Sequence, residues 1–342
     1  MFKLDTKIIP VKFLLVVSII LIFVFVFYFY LIFTWLSDDR LYGDEVFYWF
    51  QSRAISEQGK FVNFQNTQPL LFPLVLSLFD SVNFGRVFNS LLIVLSSIIF
   101  VFYLLKNLEI NKENKLLFGV MSLFLFFISP FTTFFAISLH TEAIFTLFFI
   151  LSLLFFSYCR KNQSFKNLIL FGIFLGLAMQ ARITGIVLFI FFLLYLILSK
   201  KFKPRHLTSF IIALIIFFPY FILGGLQFLG TKGPLTNLAL EDFTLMIVNR
   251  SYQALYFWWP FLILIFLGIF YILKTNNKFG KFHFWFIALL LIFNILTPYS
   301  FPRYWFILVP SLVIIICFGF KKLIQLGKQG LNKPITRKRI GS

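Results

Sequence analysis

The sequence predicts an all-α, polytopic integral membrane protein with about ten transmembrane helices. Of its 342 residues, 60% are hydrophobic and 13% are charged, and the mean hydropathy is +0.94. Apolar segments recur along the whole chain and are separated by short polar loops, and basic residues cluster on every second loop. These three observations exclude an ordinary soluble domain.

The formal charge of +19 is explained by membrane topology. Of the 31 Lys and Arg residues, 23 fall on alternate loops, whereas nine of the twelve acidic residues fall on the other set. The positive-inside rule therefore places both termini in the cytoplasm of a multi-pass cell-membrane protein. Anionic lipid of the inner leaflet, and no nucleic acid, is the partner that this basicity predicts.

The predicted spans follow one another in a single transmembrane domain, residues 1–320, and residues 321–342 form a basic cytoplasmic tail. The first span is longer than the core of a signal peptide and no small-residue cleavage site follows it, so we expect an uncleaved anchor. The spans are residues 13–36, 87–105, 116–131, 139–158, 168–181, 183–198, 207–229, 257–273, 282–299 and 304–320.

Residues 168–198 could be one bent helix, but basic clusters on both sides require the chain to return to the same face. We therefore predict a hairpin, with Arg182 at its turn and inside a cavity that is shielded from lipid. Residues 129–142 are predicted to form another outer turn. Cys159 and Cys317 both lie near cytoplasmic ends of spans, so we expect free thiols.

The first external loop, residues 37–84, contains six of the twelve acidic residues. Within it, residues 43–59 predict an amphipathic interfacial helix that ends at Gly59, because Val46, Phe50 and Ala54 recur at four-residue spacing. This helix would place Asp44 and Glu45 at its start. Residues 68–79 predict a second interfacial or re-entrant helix, because about ten residues rise only about 15 Å and cannot cross a hydrocarbon core of about 30 Å.

Charged residues on the predicted outer face suggest one outward-facing cavity, because such groups are costly near lipid unless they pair or line a wet site. A carboxylate can take the proton of an acceptor hydroxyl, and arginines can bind a departing phosphate. This chemistry suits sugar transfer from a polyprenyl phosphate sugar. The candidate residues are Asp44, Glu45, Arg86, His140, Glu142, Arg182, Arg250 and Arg303.

Six short motifs, in this order, carry a family resemblance: GDEVFY at 43–48, QPLLFP at 68–73, FGRVFNSL at 84–91, HTEA at 140–143, GLAMQAR at 176–182, and Arg303-Tyr304 with Pro310. Together they resemble the GT-C glycosyltransferases, which include protein O-mannosyltransferases and aminoarabinose transferases. Gln68 departs from the pattern, because relatives often have a lysine before these prolines. Many relatives also carry a soluble domain after the last span, where this sequence has a short basic tail.

The resemblance implies the GT-C fold and an inverting transfer from a dolichyl or undecaprenyl phosphate sugar to the hydroxyl of a glycan, lipid or protein acceptor, on the extracytoplasmic face. It implies Asp44 as the base or as a carboxylate beside a metal. We expect Glu45 and Glu142 to orient or tune it. Donor phosphate or substrate would be bound by Arg86, His140, Arg182, Arg303 and Tyr304. A divalent ion such as Mg²⁺ or Mn²⁺ would be held by Asp44 or Glu142.

Structural roles are alternatives for each of these residues. Asp44 could be only a helix N-cap, and Glu45 could only favour the positive helix end. Arg86 and Arg182 could pair with carboxylates for stability alone, Arg303 could be a snorkelling residue and His140 an interfacial one. At the level of the protein, the alternatives are a transporter or flippase of a lipid-linked glycan, or a structural membrane subunit; no inverted repeat of the transporter type is visible.

Overall fold

The computed structural model describes residues 41, 43–59, 70–162, 164–220, 258–296 and 307–331, and every regular element in these ranges is helical. The predicted first span, the motif residues 68 and 69, Arg250, Arg303, Tyr304 and the end of the basic tail lie outside them. The helices are α1 (Asp44–Gln58), α2 (Leu71–Leu76), α3 (Val82–Asn107), α4 (Lys112–Ile128), α5 (Pro130–Ile137), α6 (Thr141–Lys161), α7 (Phe165–Ala181), α8 (Gly185–Leu198), α9 (His206–Tyr220), α10 (Leu262–Thr275), α11 (Lys278–Leu296) and α12 (Val309–Leu331).

The apolar helices agree in position with the sequence prediction, since each of the nine spans predicted after residue 36 overlaps one of them. Within the described ranges, α3, α6 and residues 309–326 of α12 are long and apolar enough to cross a membrane. Five others, in α4, α7, α8, α9 and α10, are apolar but have 10–17 residues. The all-helical class is thus confirmed, whereas a total of about ten transmembrane helices stays a prediction.

Glycines allow two pairs of helices to pack with their backbones in contact. Gly172 and Gly176 are four residues apart on α7, and a Cβ on either one would lie within 3.0 Å of backbone atoms of α9. Gly268 on α10 and Gly319 on α12 are equally crowded, because a Cβ on Gly319 would overlap the carbonyl oxygen of Leu264. Small residues at such crossings are typical of helix packing in membranes, where close van der Waals contact drives association.

The predicted hairpin of residues 168–198 is present as α7 and α8. A Cβ on Gly185, the first residue of α8, would lie 2.6 Å from the Cα of Met179 near the end of α7. Farther along, the ring of Phe192 on α8 lies 5.1 Å from that of Phe171 on α7. A later residue of α8 thus contacts an earlier residue of α7, so the two helices are antiparallel.

The segment predicted as one outer turn, residues 129–142, instead contains the eight-residue helix α5.

A buried histidine joins three helices by hydrogen bonds. His283 of α11 lies 2.9 Å from the hydroxyl of Tyr103 on α3 and 2.9 Å from that of Ser311 on α12. Cys159 and Cys317 are free and buried, as predicted.

Candidate active site

Helix α1 presents a polar face to the protein. It begins at Asp44, after Gly43 with a φ of 56°, and it ends before Gly59, which has a φ of 61°. Its buried residues are Glu45, Tyr48, Gln51 and Ser52, whereas Phe50 is 58% exposed. The predicted helix is therefore present, with Glu45, Gln51 and Ser52 against the bundle and Phe50 outward, whereas its place at the membrane surface stays a prediction. Because Gly43 occupies the N-cap, Asp44 does not fill the capping position that was its structural alternative.

The carboxylate of Glu45 holds the start of α1 against the start of α3. Arg86 donates from Nη2 to Glu45 Oε2 at 2.9 Å and from Nε to Oε1 at 3.4 Å. The backbone N–H of Leu139 donates to the same Oε1 at 2.7 Å. Both charged side chains are 1% exposed. Breaking such a buried pair on one side costs about 3–5 kcal/mol, so the pair determines where α1 can lie.

Residues 138–142, here called the 138–142 segment, join α5 to α6 and receive contacts from several helices. The side-chain amide of Asn89 on α3 donates to the carbonyl oxygens of Ser138 at 2.7 Å and His140 at 3.0 Å. The His140 ring lies 5.5 Å from the ring of Phe134 and 6.4 Å from that of Tyr48 on α1. The backbone of this segment is thus fixed from α1 and α3 together.

A second buried ion pair lies at the other end of the same segment. Glu142, in the first turn of α6, accepts from Arg182 Nη1, and the hydroxyl of Thr141 lies 3.3 Å from its other oxygen. Arg182 stands directly after α7 in extended backbone, at the turn into α8, and its side chain is 8% exposed. The helix hairpin therefore delivers Arg182 to the start of α6, as the predicted shielded position requires.

The structure therefore brings together most of the residues predicted for the site. Glu45, His140, Glu142 and Arg182 all contact or belong to the 138–142 segment, and Arg86 is joined to it through Glu45. Asp44 is half-buried and adjoins Glu45 in the first turn of α1. Arg303 and Tyr304 lie outside the described residues.

Among the predicted phosphate ligands in the described ranges, Arg86 is the one whose geometry supports that role least. Two of its nitrogens already donate to Glu45, and the side chain is buried on all sides. Contact with a phosphate would require this pair to open. Arg86 and Arg182 both pair with carboxylates, as the alternative structural role of these two arginines predicts.

A divalent metal ion finds little support among these side chains. In the described part of the chain, no group of three or more His, Cys, Asp or Glu residues lies close enough to hold a metal. Glu142, one of the two predicted ligands, is neutralised by the guanidinium of Arg182. A cation there would have to displace this arginine, so the residues present do not fit a metal centre and no chemical step is assigned to one.

Sequence reasoning missed Asn89, although it makes two of the hydrogen bonds that fix the 138–142 segment. Its side chain is fully buried in an apolar helix, three positions after Arg86 and hence on nearly the same face. The available signal in the sequence was an asparagine about one turn after an arginine, near the start of an apolar segment.

Fold and site together define a polytopic helical membrane protein in which two buried ion pairs, Glu45–Arg86 and Glu142–Arg182, are joined by the 138–142 segment, with Asp44 next to Glu45. Residues 68–223, less than half of the chain, match the family model of the dolichyl-phosphate-mannose-protein mannosyltransferases. The structure superimposes on the crystal structure of ArnT from Cupriavidus metallidurans in the apo state with a TM-score of 0.60, at 15% sequence identity, over 92% of this chain and 62% of that one.

The same bacterial protein bound to undecaprenyl phosphate gives a TM-score of 0.56 at 18% identity, over 91% of this chain and 63% of ArnT. A comparison with curated protein sequences gives no match. The chain thus spans less than two thirds of the length of the ArnT structures that it resembles. These findings confirm the resemblance to the GT-C membrane glycosyltransferases and show that the fold is shared with ArnT.

Proposed function

We propose that this protein is a membrane glycosyltransferase that moves a sugar from a polyprenyl phosphate donor to an acceptor hydroxyl on the extracytoplasmic face, with inversion at the anomeric carbon. The observation that carries the proposal is the convergence of external carboxylates and arginines, drawn from α1, α3, α6 and the α7–α8 turn, on the 138–142 segment. The family match and the fold shared with ArnT support the same class of reaction.

The reaction begins when the Asp44 carboxylate takes the proton of the acceptor hydroxyl. The acceptor oxygen attacks the anomeric carbon from the side opposite the phosphate, which forms the new glycosidic bond and inverts the configuration. The bond between that carbon and the phosphate oxygen breaks, and its electron pair stays on the polyprenyl phosphate. Phosphate is a good leaving group at neutral pH, so the site needs positive charge and no general acid.

Asp44 is assigned the role of the base because it is the half-buried member of the acidic pair. Both carboxylate oxygens of Glu45 already accept hydrogen bonds from Arg86 and Leu139. Glu45 and Arg86 are then positioning residues that fix the first turn of α1. Glu142, which also accepts from the hydroxyl of Thr141, holds Arg182 at the turn between α7 and α8.

Arg182 is the described cation best placed to meet a phosphate. Its side chain keeps 8% of its surface exposed, whereas that of Arg86 keeps 1%. A guanidinium has five donors, so Arg182 can keep its bond to Glu142 and still donate to a phosphate oxygen. We propose that Arg182 acts there with Arg303, and that His140 and Tyr304 contact the substrate.

The extracytoplasmic side is assigned from the two ends of α6. Its first turn carries Glu142, and its last turn carries Arg160 and Lys161. Basic residues favour the cytoplasmic end of a span, so the Glu142 end faces outward. Undecaprenyl phosphate bound to ArnT supports a polyprenyl phosphate as donor here, with its tail along the apolar helix surfaces.

Purified protein in vesicles tests the proposal with undecaprenyl phosphate that carries mannose, glucose or aminoarabinose, and with an envelope extract as acceptor. Mass spectrometry follows the release of undecaprenyl phosphate. Asp44→Asn is expected to slow release by about 10²–10⁴-fold, the usual contribution of a positioned base. Asp80→Asn is the matched control, because Asp80 is an exposed carboxylate in the same external loop. Unchanged turnover in Asp44→Asn would remove the proposed base.

A further inference from the structure

Three basic side chains meet at the end of the bundle that lies opposite the candidate active site. Arg160 belongs to the last turn of α6, Lys201 follows α8, and Lys278 is the first residue of α11. Glu142 and Arg160 are 18 positions apart on one helix, which separates the two ends by about 27 Å. The basic cluster of Arg160, Lys201 and Lys278 therefore belongs to the other membrane surface.

Aromatic contacts bring α6, α8 and α11 together at this cluster. The guanidinium of Arg160 lies 5.3 Å from the ring centroid of Tyr195 on α8. That ring lies 4.8 Å from the ring of Phe282 on α11, one helical turn after Lys278. The chain folds back after α8, because the backbone N–H groups of Lys201 and Phe202 both donate to the carbonyl of Leu196. Arg160 and the start of α11, which carries Lys278, thus adjoin one aromatic patch, and Lys201 follows Tyr195 of that patch by six positions.

The basic cluster carries positive charge that no described carboxylate neutralises. Neither Arg160, Lys201 nor Lys278 makes an ion pair with an acidic residue of the described ranges, where both pairs found lie near the 138–142 segment. Arg160 Nε is buried and donates to no acceptor there. Partial desolvation and the nearby charges of Arg160 and Lys278 lower the pKa of the exposed Lys201. Like charges held together in this way are stabilised by a bound anion.

We propose that Arg160, Lys201 and Lys278 bind the phosphate of an anionic membrane phospholipid, such as phosphatidylglycerol, on the face opposite the candidate active site. The free guanidinium N–H groups supply directed donors to phosphate oxygens, and the two ammonium groups supply point charge. Basic sites between helix ends on the cytoplasmic side are a recognised setting for such head groups.

A lipid is favoured over a soluble phosphate because the basic cluster adjoins an apolar surface. Ile197 and Leu198, in the last turn of α8, are 50% and 79% exposed, and Leu194 is 42% exposed. These side chains lie three to seven positions before Lys201 and offer acyl chains a contact that a soluble anion would not use. The apolar surface and the cations together match an amphipathic anion.

Native mass spectrometry of the detergent-purified full chain, titrated with phosphatidylglycerol and with phosphatidylcholine, tests this site. Removing a charge from the basic cluster is expected to weaken phosphatidylglycerol binding by about five-fold, since each basic residue near an anionic membrane contributes on the order of 1 kcal/mol. The triple variant Arg160→Gln, Lys201→Gln, Lys278→Gln should lose about 100-fold. Phosphatidylcholine binding should be weaker and unaffected.

The matched control is a second triple variant that removes three exposed charges elsewhere at the same end of the bundle: Lys115→Gln, Lys166→Gln, Lys274→Gln. It should change binding by less than about two-fold if the effect is specific to the basic cluster. Equal losses in the two triple variants would overturn the site, as would equal affinity for the two lipids. Displacement of phosphatidylglycerol by millimolar inorganic phosphate would assign the site to a soluble anion and refute the lipid. If the triple variant fails to fold, Lys201→Gln alone must still show its five-fold loss, since Lys201 is exposed.

Discussion

Removing the charge of Glu45 is expected to destabilise the protein by about 3–5 kcal/mol, the cost of leaving one partner of a buried ion pair. The substitution Glu45→Gln keeps an oxygen that can accept from Leu139 N–H, but it removes the negative charge and replaces the acceptor of Arg86 Nη2 by an amide NH2 group. Arg86 is 1% exposed and cannot reach water without moving α1 or α3. Its uncompensated charge is therefore the main source of the cost.

A double-mutant cycle separates the pair from the helix contacts around it. Arg86→Met replaces the guanidinium by an apolar side chain with a similar straight stem. Alone, it leaves Glu45 buried without its partner and should again cost about 3–5 kcal/mol. Combined with Glu45→Gln, it removes both charges, and the double variant should recover about 2–3 kcal/mol relative to the sum of the single costs.

Reversible unfolding in mixed detergent micelles, followed by tryptophan fluorescence, measures the four free energies of the cycle. Single costs that simply add in the double variant would refute the direct pairing of Glu45 and Arg86. Glycosyl transfer should fall in all three variants, because each loosens the first turn of α1. A stable double variant with full transfer activity would show that the pair does not position Asp44.

Three further predictions concern other contacts. Arg182→Gln should lower stability by about 3–5 kcal/mol through the stranded Glu142, and thermal unfolding in detergent will measure it; an unchanged melting temperature would contradict the ion pair. Gly319→Ala should cost about 1–3 kcal/mol, because the added Cβ overlaps the carbonyl of Leu264 on α10. Gly119→Ala is the control and should be tolerated, because its Cβ would lie 3.5 Å from the nearest side chain, that of Leu105. Equal melting temperatures of the two variants would argue against the close α10–α12 crossing. Tyr103→Phe should cost about 1–3 kcal/mol by leaving the buried histidine of α11 without one partner, and a loss below 0.5 kcal/mol in the same assay would speak against that bond.

Much of the fold was predictable because lipid imposes a simple rule on sequence. A spanning helix must be apolar over most of its length, so hydropathy places α3 and α6 within about five residues of their observed bounds. Helix α12 continues eleven residues past the predicted end at residue 320, into the segment predicted as a basic tail. The alternation of basic loops predicted that residues 168–198 form a hairpin, which a hydropathy profile alone does not show. Helix α5 was missed because a segment of eight residues between two helices can equally form a turn.

The residues of the candidate site were identified from the rarity of charge in an apolar chain, but their pairing was not. Glu45 and Arg86 are 41 positions apart, and Glu142 and Arg182 are 40 apart, so no local pattern links them. The rotation of α1 about its own axis could be predicted only in part. Its apolar spacing predicts which side meets the membrane, whereas the burial of Glu45 depends on an arginine supplied by another helix.

The polar inner face of α1 also determines how the helix is rotated about its axis. Turning it by half a revolution would carry the Glu45 carboxylate away from the bundle and leave Arg86 without its partner in the interior, a change that costs several kcal/mol. Successive helical residues differ by about 100° in direction. The direction in which Asp44 points is therefore fixed by the contacts of its neighbour Glu45.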